Sequence, residues 1–131
     1  MIKIRREGII VIVIVILILI INTIIKIYTR NEIDEIKNIL EEIKELGDKD
    51  IDKEKLVGEV KRLEDKWKNS KEKLSIIIEH QELEKIDNYI QDIKYMEIYQ
   101  MKNKINIKIE KTINLLDEID SKYEINIGNI F

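Results

Sequence analysis

Thirteen consecutive apolar residues near the amino terminus, Ile9 to Ile21, constrain this chain more than any other feature. A strand of that composition would need cover on both faces, and no second apolar run in the chain supplies it. With Gly8 and residues 22–25 included, a helix here would be about 27 Å long, close to the roughly 30 Å hydrocarbon core of a bilayer. The sequence therefore predicts a transmembrane helix over residues 8–25.

An export signal that is removed after secretion is the main alternative to a retained anchor. The basic start fits both, but the apolar run is followed by NTIIKIYTR, which lacks the small residues of a cleavage site. A pilin-type signal also fits poorly, because no glutamate follows Gly8 a few residues into the run. We therefore expect a retained signal anchor, with residues 1–7 in the cytoplasm because Lys3, Arg5 and Arg6 precede the span.

Charge divides the chain at about residue 30. Residues 1–30 hold five Lys and Arg against one Glu, whereas residues 31–131 hold 18 Lys and Arg against 25 Asp and Glu. An acidic region of mixed sign disfavours nucleic acid as a partner and is typical of solvated helices. The absence of cysteine excludes disulfides and thiolate metal sites. We expect one extracytoplasmic domain over residues 26–131.

Four amphipathic segments follow the apolar run, each with apolar residues at helical spacing. The first covers residues 31–46, and no Pro or Gly separates it from the span, so it can continue the same helix. The others begin near Lys53, Glu82 and Lys102, and the period-two tract KINIKIE at 104–110 joins the last because its apolar stripe continues well beyond it. Short connections make the expected fold all-α, an antiparallel bundle or hairpin stack of about four amphipathic helices behind a transmembrane helix.

Local signals predict where the first two of these segments meet. Gly47 is expected to form a left-handed carboxyl cap, and the tract GDKDID is expected to turn. Asp52 is expected to cap the next helix, with Ile51 and Leu56 as a hydrophobic staple.

Two further signals lie inside the second amphipathic segment. Gly58 costs about 1 kcal/mol relative to alanine in a helix, which indicates close packing at that position. The tract SIIIEH at 75–80 places three isoleucines around most of a helical turn, so the helix is expected to end, bend or be buried on two sides there.

The single histidine, His80, has Glu84 and Asp87 four and seven residues on, positions that can share one helical face. One His with two carboxylates is a weak zinc signal, because zinc sites normally have more than one His or Cys. A His bonded to a helix end or a carboxylate is the simpler interpretation. The sequence also has no glycine-rich phosphate loop, Ser/His/Asp set or paired acids, so we expect no catalytic site, no metal site and no cofactor.

The aromatic residues favour structural positions. Trp67, the only tryptophan, lies in register with Leu63 and Leu74, which favours a place in the core over a partner-binding hot spot. Tyr95 and Tyr99, four residues apart, are expected to pair on a helix surface.

The tract VKRLEDKWKNSKEKLSIIIEHQELEKID at 60–87 resembles the domain-of-unknown-function family 4363 of Firmicutes. The shared pattern is a Trp, a spacer with Lys, an apolar patch ending in Glu-His and the sequence E-L-x-x-I, together with a terminal N-I-[large apolar] tail. Alanines frequent in the helices of that family are absent here. The resemblance implies a short membrane-associated protein with one hydrophobic segment, an accessory role and no established activity. The family-pattern or partner-binding positions that it marks are Trp67, Glu79, His80 and Glu82.

We therefore expect a single-pass cell-membrane protein whose helical domain is a non-catalytic accessory or binding subunit for another membrane or envelope protein. One alternative is a structural protein that self-associates through coiled-coil-like helices, which requires a long unbroken heptad pattern. A second alternative is a metal-dependent protein centred on His80.

Overall fold

The computed structural model describes residues 5–48, 53–99 and 101–122, and these ranges form four α-helices and no strand. The prediction of an all-α chain is confirmed, as is the helical assignment of KINIKIE. The helices are α1 (Arg6–Asp48), α2 (Lys53–Leu74), α3 (His80–Ile98) and α4 (Lys102–Lys122).

The first helix contains both the apolar run and the first amphipathic segment without a break. α1 has 43 residues and is therefore about 65 Å long. Its amino-terminal part extends beyond the other described helices, whereas from Thr29 onward buried side chains recur at helical spacing. The packed part, residues 29–48, is about 30 Å long, which matches the lengths of the other three helices. We call residues 29–48 with α2, α3 and α4 the helical body.

The helical body has one apolar core to which all four helices contribute. α1 and α3 each pack against both α2 and α4. The arrangement fits a helical bundle. Core side chains include Ile33, Ile36, Leu40 and Ile43 from α1, Leu56, Val60, Leu63, Trp67 and Leu74 from α2, Leu83, Ile86, Ile90 and Ile93 from α3, and Ile105, Ile109, Ile113, Leu116 and Ile119 from α4.

Ion pairs between neighbouring helices run in opposite sequence directions along each pair. Between α1 and α4, Lys37 Nζ lies 2.5 Å from Asp117 Oδ1, and Lys44 pairs with Glu110. Between α3 and α4, Lys108 Nζ lies 3.1 Å from Asp92 Oδ2, and Lys122 Nζ lies 2.9 Å from Glu82 Oε1. One partner of each pair is about half exposed, so each pair contributes at most about 1 kcal/mol and fixes register more than it stabilises the fold.

The tract SIIIEH ends α2, which was one of the three outcomes expected for it. α2 stops at Leu74, whose carbonyl oxygen accepts from the backbone N–H groups of Ile77 (2.9 Å) and Ile78 (2.8 Å). Ile78 is buried and Ile77 packs partly against the core, whereas Ile76 is 88% exposed. Three adjacent isoleucines therefore have three different surroundings because the backbone turns between them.

Both glycine predictions were wrong. Gly47 lies inside α1 and its φ is outside the left-handed region, since the helix continues to Asp48. A Cβ on Gly47 would come within 3.2 Å of Asn106 Oδ1. The close approach of α4, and not the backbone conformation, therefore limits which side chain fits at this position. At Gly58, by contrast, a Cβ would meet no atom within 4 Å, so no close packing is present. Asp52 and Ile51 lie outside the described residues.

Replacing Gly58 with alanine is expected to stabilise the protein. The position is exposed in the second turn of α2, and the new methyl group has open space. Alanine removes backbone freedom from the unfolded chain, so the free energy of unfolding should rise by about 0.5–1 kcal/mol. Chemical denaturation followed by circular dichroism measures this. Gly47→Ala is the matched control and should give a smaller gain or a loss, because Asn106 must shift; equal gains at the two sites would contradict the account.

Candidate functional site

The amino-terminal part of α1 has an apolar surface on all sides. Side chains from Ile9 to Ile18 are each 40–59% exposed, and the most apolar 18-residue window has no buried residue. α1 is the one helix among the described residues that is long and apolar enough to cross a membrane, which is consistent with a single-pass anchor. An apolar surface of this extent in contact with water would be very unfavourable.

After Arg6 and Glu7 at its start, α1 has its next polar residues at Asn22 and Thr23, near the end of the predicted span. Thr23 Oγ1 donates to the Leu19 carbonyl oxygen at 2.8 Å, so its hydroxyl is satisfied within the helix and is compatible with lipid. Arg30 follows one turn after Lys26, and Arg30 Nε lies 3.5 Å from Asp120 Oδ2 on α4. At the other end Arg5 and Arg6 are exposed, as orienting cations must be, while Lys3 lies outside the described residues.

A buried carboxylate marks the point where α1 enters the helical body. Glu32 is 7% exposed, and Ser70 Oγ of α2 donates to its Oε2 at 2.6 Å. Lys66 Nζ lies 3.3 Å from the same oxygen, and Lys73 Nζ lies 3.6 Å from Oε1. Lys66 also pairs with Glu35. This cluster joins α1 to α2 about 10 Å along α1 from the end of the predicted span.

The partners of Glu32 determine its protonation. Burial raises the pKa of the Glu32 carboxyl, but the hydrogen bonds from Ser70 and Lys66 and the charges of Lys66 and Lys73 outweigh burial, so the pKa lies below its usual value of 4.5. The hydrogen bond to Glu35 raises the pKa of Lys66, with burial opposing and Glu32 adding to the rise. The cluster is therefore charged at neutral pH.

The lowered pKa of Glu32 predicts a loss of stability in acid. Because the unfolded chain binds a proton at Glu32 more readily than the folded chain, the contribution is fully present above the unfolded pKa near 4.5 and is lost as the pH falls through the folded pKa. Glu32→Gln should lower the free energy of unfolding by about 1–3 kcal/mol at pH 7 and reduce its acid dependence. Chemical denaturation at pH 7 and below pH 4.5 measures the loss of stability and its dependence on acid. Glu41→Gln, an exposed change in the same helix, is the control, and equal acid slopes for the Glu32 variant and the wild type would contradict this account.

Three of the four residues marked by the family resemblance, Glu79, His80 and Glu82, lie in or beside the turn between α2 and α3. Glu79 and His80 are exposed at the start of α3, and Glu82 Oε1 lies 2.9 Å from Lys122 Nζ of α4. Trp67 is 3% exposed and occupies the core, as its register predicted. Its indole Nε1 donates to Asp87 Oδ1, so it has no surface to offer a partner in the folded chain.

The structure does not bring the three residues of the suspected metal site together. His80 Nε2 lies 3.0 Å from Glu84 Oε1, and both side chains are mostly exposed. Asp87 instead accepts from Trp67 and pairs with Lys71, both on α2. Within the described ranges, no group of three or more His, Cys, Asp or Glu is placed to hold a metal ion.

A second surface of interest lies at the end of the helical body opposite the turn between α2 and α3. Tyr95, Ile98 and Tyr99 near the end of α3 are each 56–62% exposed. The rings of Tyr95 and Tyr99 have their centroids 4.4 Å apart at an interplanar angle of 38°, which confirms the expected surface pair. We call these three residues the distal patch. Aromatic side chains of this kind are enriched in protein interfaces.

Sequence reasoning missed the polar cluster at the junction. Glu32 is four residues before Ile36, and Ser70 is four residues before Leu74, so both lie on the apolar stripes of their helices. A carboxylate and a hydroxyl at core positions of two consecutive helices were the available signal, because buried polar groups need partners.

Comparison with known proteins gives no further assignment. A scan against protein-family models finds no match, and neither does a search of curated proteins or of solved structures. The resemblance to family 4363 therefore stays a prediction.

Proposed function

We propose that this chain is a single-pass cell-membrane protein with its amino terminus in the cytoplasm and the helical body, an antiparallel bundle, outside. The observation that carries the proposal is the continuity of α1. Its exposed apolar part and its packed part belong to one helix, with no glycine or proline between Ile9 and Leu46. A helix anchored in lipid would therefore hold the body at a fixed distance from the bilayer.

The helical body acts as a non-catalytic accessory or binding subunit for another membrane or envelope protein. The support is the distal patch, which lies at the end of the body farthest from the span and exposes apolar and aromatic surface there. A rigid rod beneath it would hold this patch away from the membrane, where an envelope protein is accessible. Aromatic side chains lose little conformational entropy on binding, which suits them to such contacts.

Site-specific photocrosslinking in intact cells tests this binding role. A photoreactive residue at Tyr99 should give one discrete adduct with a different protein, and the same residue at Lys111, an exposed position on α4, should not. Ile98→Asp should abolish the adduct by placing a charge in the patch. Absence of any adduct at Tyr99, or equal adducts at both sites, would contradict the binding role.

The same experiment distinguishes the structural alternative. An adduct of two copies of this chain would favour self-association over an accessory role. That alternative needs a long unbroken heptad, whereas α2 ends at Leu74 and the apolar faces of α2, α3 and α4 are occupied within one chain. A metal-dependent function at His80 has only the His80–Glu84 pair in its support.

A further inference from the structure

The turn between α2 and α3, residues 75–79, lies at the end of the helical body nearest the predicted span. The hydrogen bond between Ser70 and Glu32 fixes the register of α2 against α1. Each further residue of α2 lies about 1.5 Å closer to the span, so Leu74 is level with about residue 28. The turn that follows is therefore level with about residues 24–27, where the span ends.

Within that turn, one large apolar side chain points away from the protein. Ile76 is 88% exposed, the highest fraction among the exposed large apolar residues described. Its neighbours Ile77 and Ile78 pack toward the core, and their N–H groups are both bonded to the Leu74 carbonyl oxygen. The backbone of the turn is therefore fixed, and its outward side chain is an isoleucine where a polar residue would be expected.

The charges around the turn do not make it a strongly basic or acidic surface. Three nearby lysines pair within the protein: Lys71 with Asp87, Lys73 with Glu32, and Lys122 with Glu82. Exposed carboxylates also flank the turn, at Glu72 and Glu79. Attraction to a charged partner is therefore weak, and the apolar side chain is the feature that needs an explanation.

We propose that Ile76 inserts into the interface of the same bilayer that holds α1, so that the helical body contacts the membrane at a second point. This inference rests on the membrane anchoring proposed above. The polar zone of a bilayer adds about 5–7 Å on each side of the hydrocarbon core, and a residue level with position 26 lies within it. Tyr28 of α1, 39% exposed, lies about 3 Å farther from the hydrocarbon core, still within the zone where aromatic residues are enriched.

A second contact would restrict motion that the anchor alone leaves free. If the helical body is attached to the membrane only through α1, the body and α1 can rotate as one unit about the long axis of α1. With Ile76 also in the interface, one face of the body is held toward the lipid, and the distal patch keeps one direction relative to the membrane. The contact depends on apolar burial, so it should be insensitive to the charge of the lipid.

Fluorescence quenching in lipid nanodiscs tests the contact on the full-length chain. The chain has no cysteine, so single cysteines at Ser75, Ile16 and Asn103 can each carry one environment-sensitive probe. The Ser75 probe should be quenched by a nitroxide near the lipid headgroup and be protected from aqueous iodide several-fold relative to the Asn103 probe. Adding Ile76→Asp should raise iodide quenching at Ser75 to the level at Asn103, while Ile76→Leu should leave it unchanged.

The Ile16 probe separates failure of this inference from failure of the anchoring. If iodide quenches the Ser75 probe as strongly as the Asn103 probe while Ile16 is in lipid, the second contact is refuted and the anchor stands. If the Ile16 probe is itself accessible to iodide, both proposals are refuted. Equal quenching of the Ser75 probe with and without the Ile76→Asp change in folded protein, as judged by circular dichroism, would also overturn the role of Ile76. Should that variant unfold, the comparison of Ser75 with Asn103 decides alone.

Discussion

Two arginines in the middle of the apolar run, Val13→Arg and Leu17→Arg, should abolish insertion of the protein into membranes. A central arginine costs about 2.5–3.5 kcal/mol on an insertion scale, whereas each Ile, Leu or Val contributes about −0.3 to −0.6 kcal/mol. The two changes together oppose insertion by roughly 6–8 kcal/mol, which is comparable to the whole contribution of the thirteen apolar residues. The inserted population should therefore fall to a small fraction of that of the wild type.

Cell-free synthesis in the presence of bacterial membrane vesicles, followed by alkaline extraction and flotation, measures the inserted fraction. Asn69→Arg with Gln91→Arg is the matched control, because it adds the same charge at exposed positions of the helical body. That control should float with the vesicles like the wild type. Insertion of the Val13/Leu17 variant, or extraction of the wild type by alkali, would contradict a lipid-embedded α1.

Trp67→Ala should destabilise the helical body more than any surface change. Trp67 is 3% exposed, so removal of its ring leaves a large cavity, with an expected loss of about 3–5 kcal/mol. The loss also leaves Asp87 without the indole donor. For a folded region of this size the melting temperature should fall by about 15–30 °C. Many domains have only about 5–15 kcal/mol of stability, so the variant should be close to unfolding at 37 °C.

One further variant separates packing from hydrogen bonding at this site, and a second serves as a surface control. Trp67→Phe retains most of the apolar ring but cannot donate to Asp87, and it should cost about 1–3 kcal/mol. Lys68→Ala, an exposed change at the next residue, should stay within about 0.5 kcal/mol of the wild type. Thermal unfolding by circular dichroism in detergent measures all three. A loss below about 1 kcal/mol for Trp67→Ala would contradict a core position for this side chain.

Periodicity predicted the helices because it is a local property of the chain. The apolar stripes of α2, α3 and α4 place Leu63, Ile90 and Ile109 in the core, and the continuity of α1 was readable from the absence of Pro and Gly after Gly8. The helix ends were less predictable. Gly47 could have formed a left-handed cap, but α1 continues through it, and no local pattern distinguishes a glycine inside a last turn from one just past it.

Contacts between helices were beyond what spacing along one helix can indicate. Asp87 lies at a position where it could have faced His80, yet it bonds to Trp67 and Lys71 of the neighbouring helix. Which partner a carboxylate takes depends on how α2 and α3 pack, and the sequence of one helix does not contain that information. The prediction of close packing at Gly58 was wrong for the same reason, because the position of the neighbouring helices leaves that face of α2 in solvent.

The polar cluster around Glu32 links the apolar part of α1 to the rest of the helical body. Glu32 lies on α1 at the start of the helical body, and its hydrogen bond with Ser70 and its ion pairs with Lys66 and Lys73 attach α2 to α1. Removing one partner of a buried charged group destabilises the fold strongly, because it leaves the other charge buried without compensation. The cluster therefore fixes how the body is mounted on the helix that we propose spans the membrane.

Cysteine labelling of intact cells tests whether α1 anchors the chain with the helical body outside. We expect Lys61→Cys, exposed on α2, to react with a membrane-impermeant maleimide in intact cells, and Glu7→Cys to react only after the membrane is opened. Both variants should remain in the membrane fraction at full length. Labelling of the Glu7 variant but not the Lys61 variant in intact cells, or a mature protein that begins after Lys26, would contradict an anchor that holds the body outside.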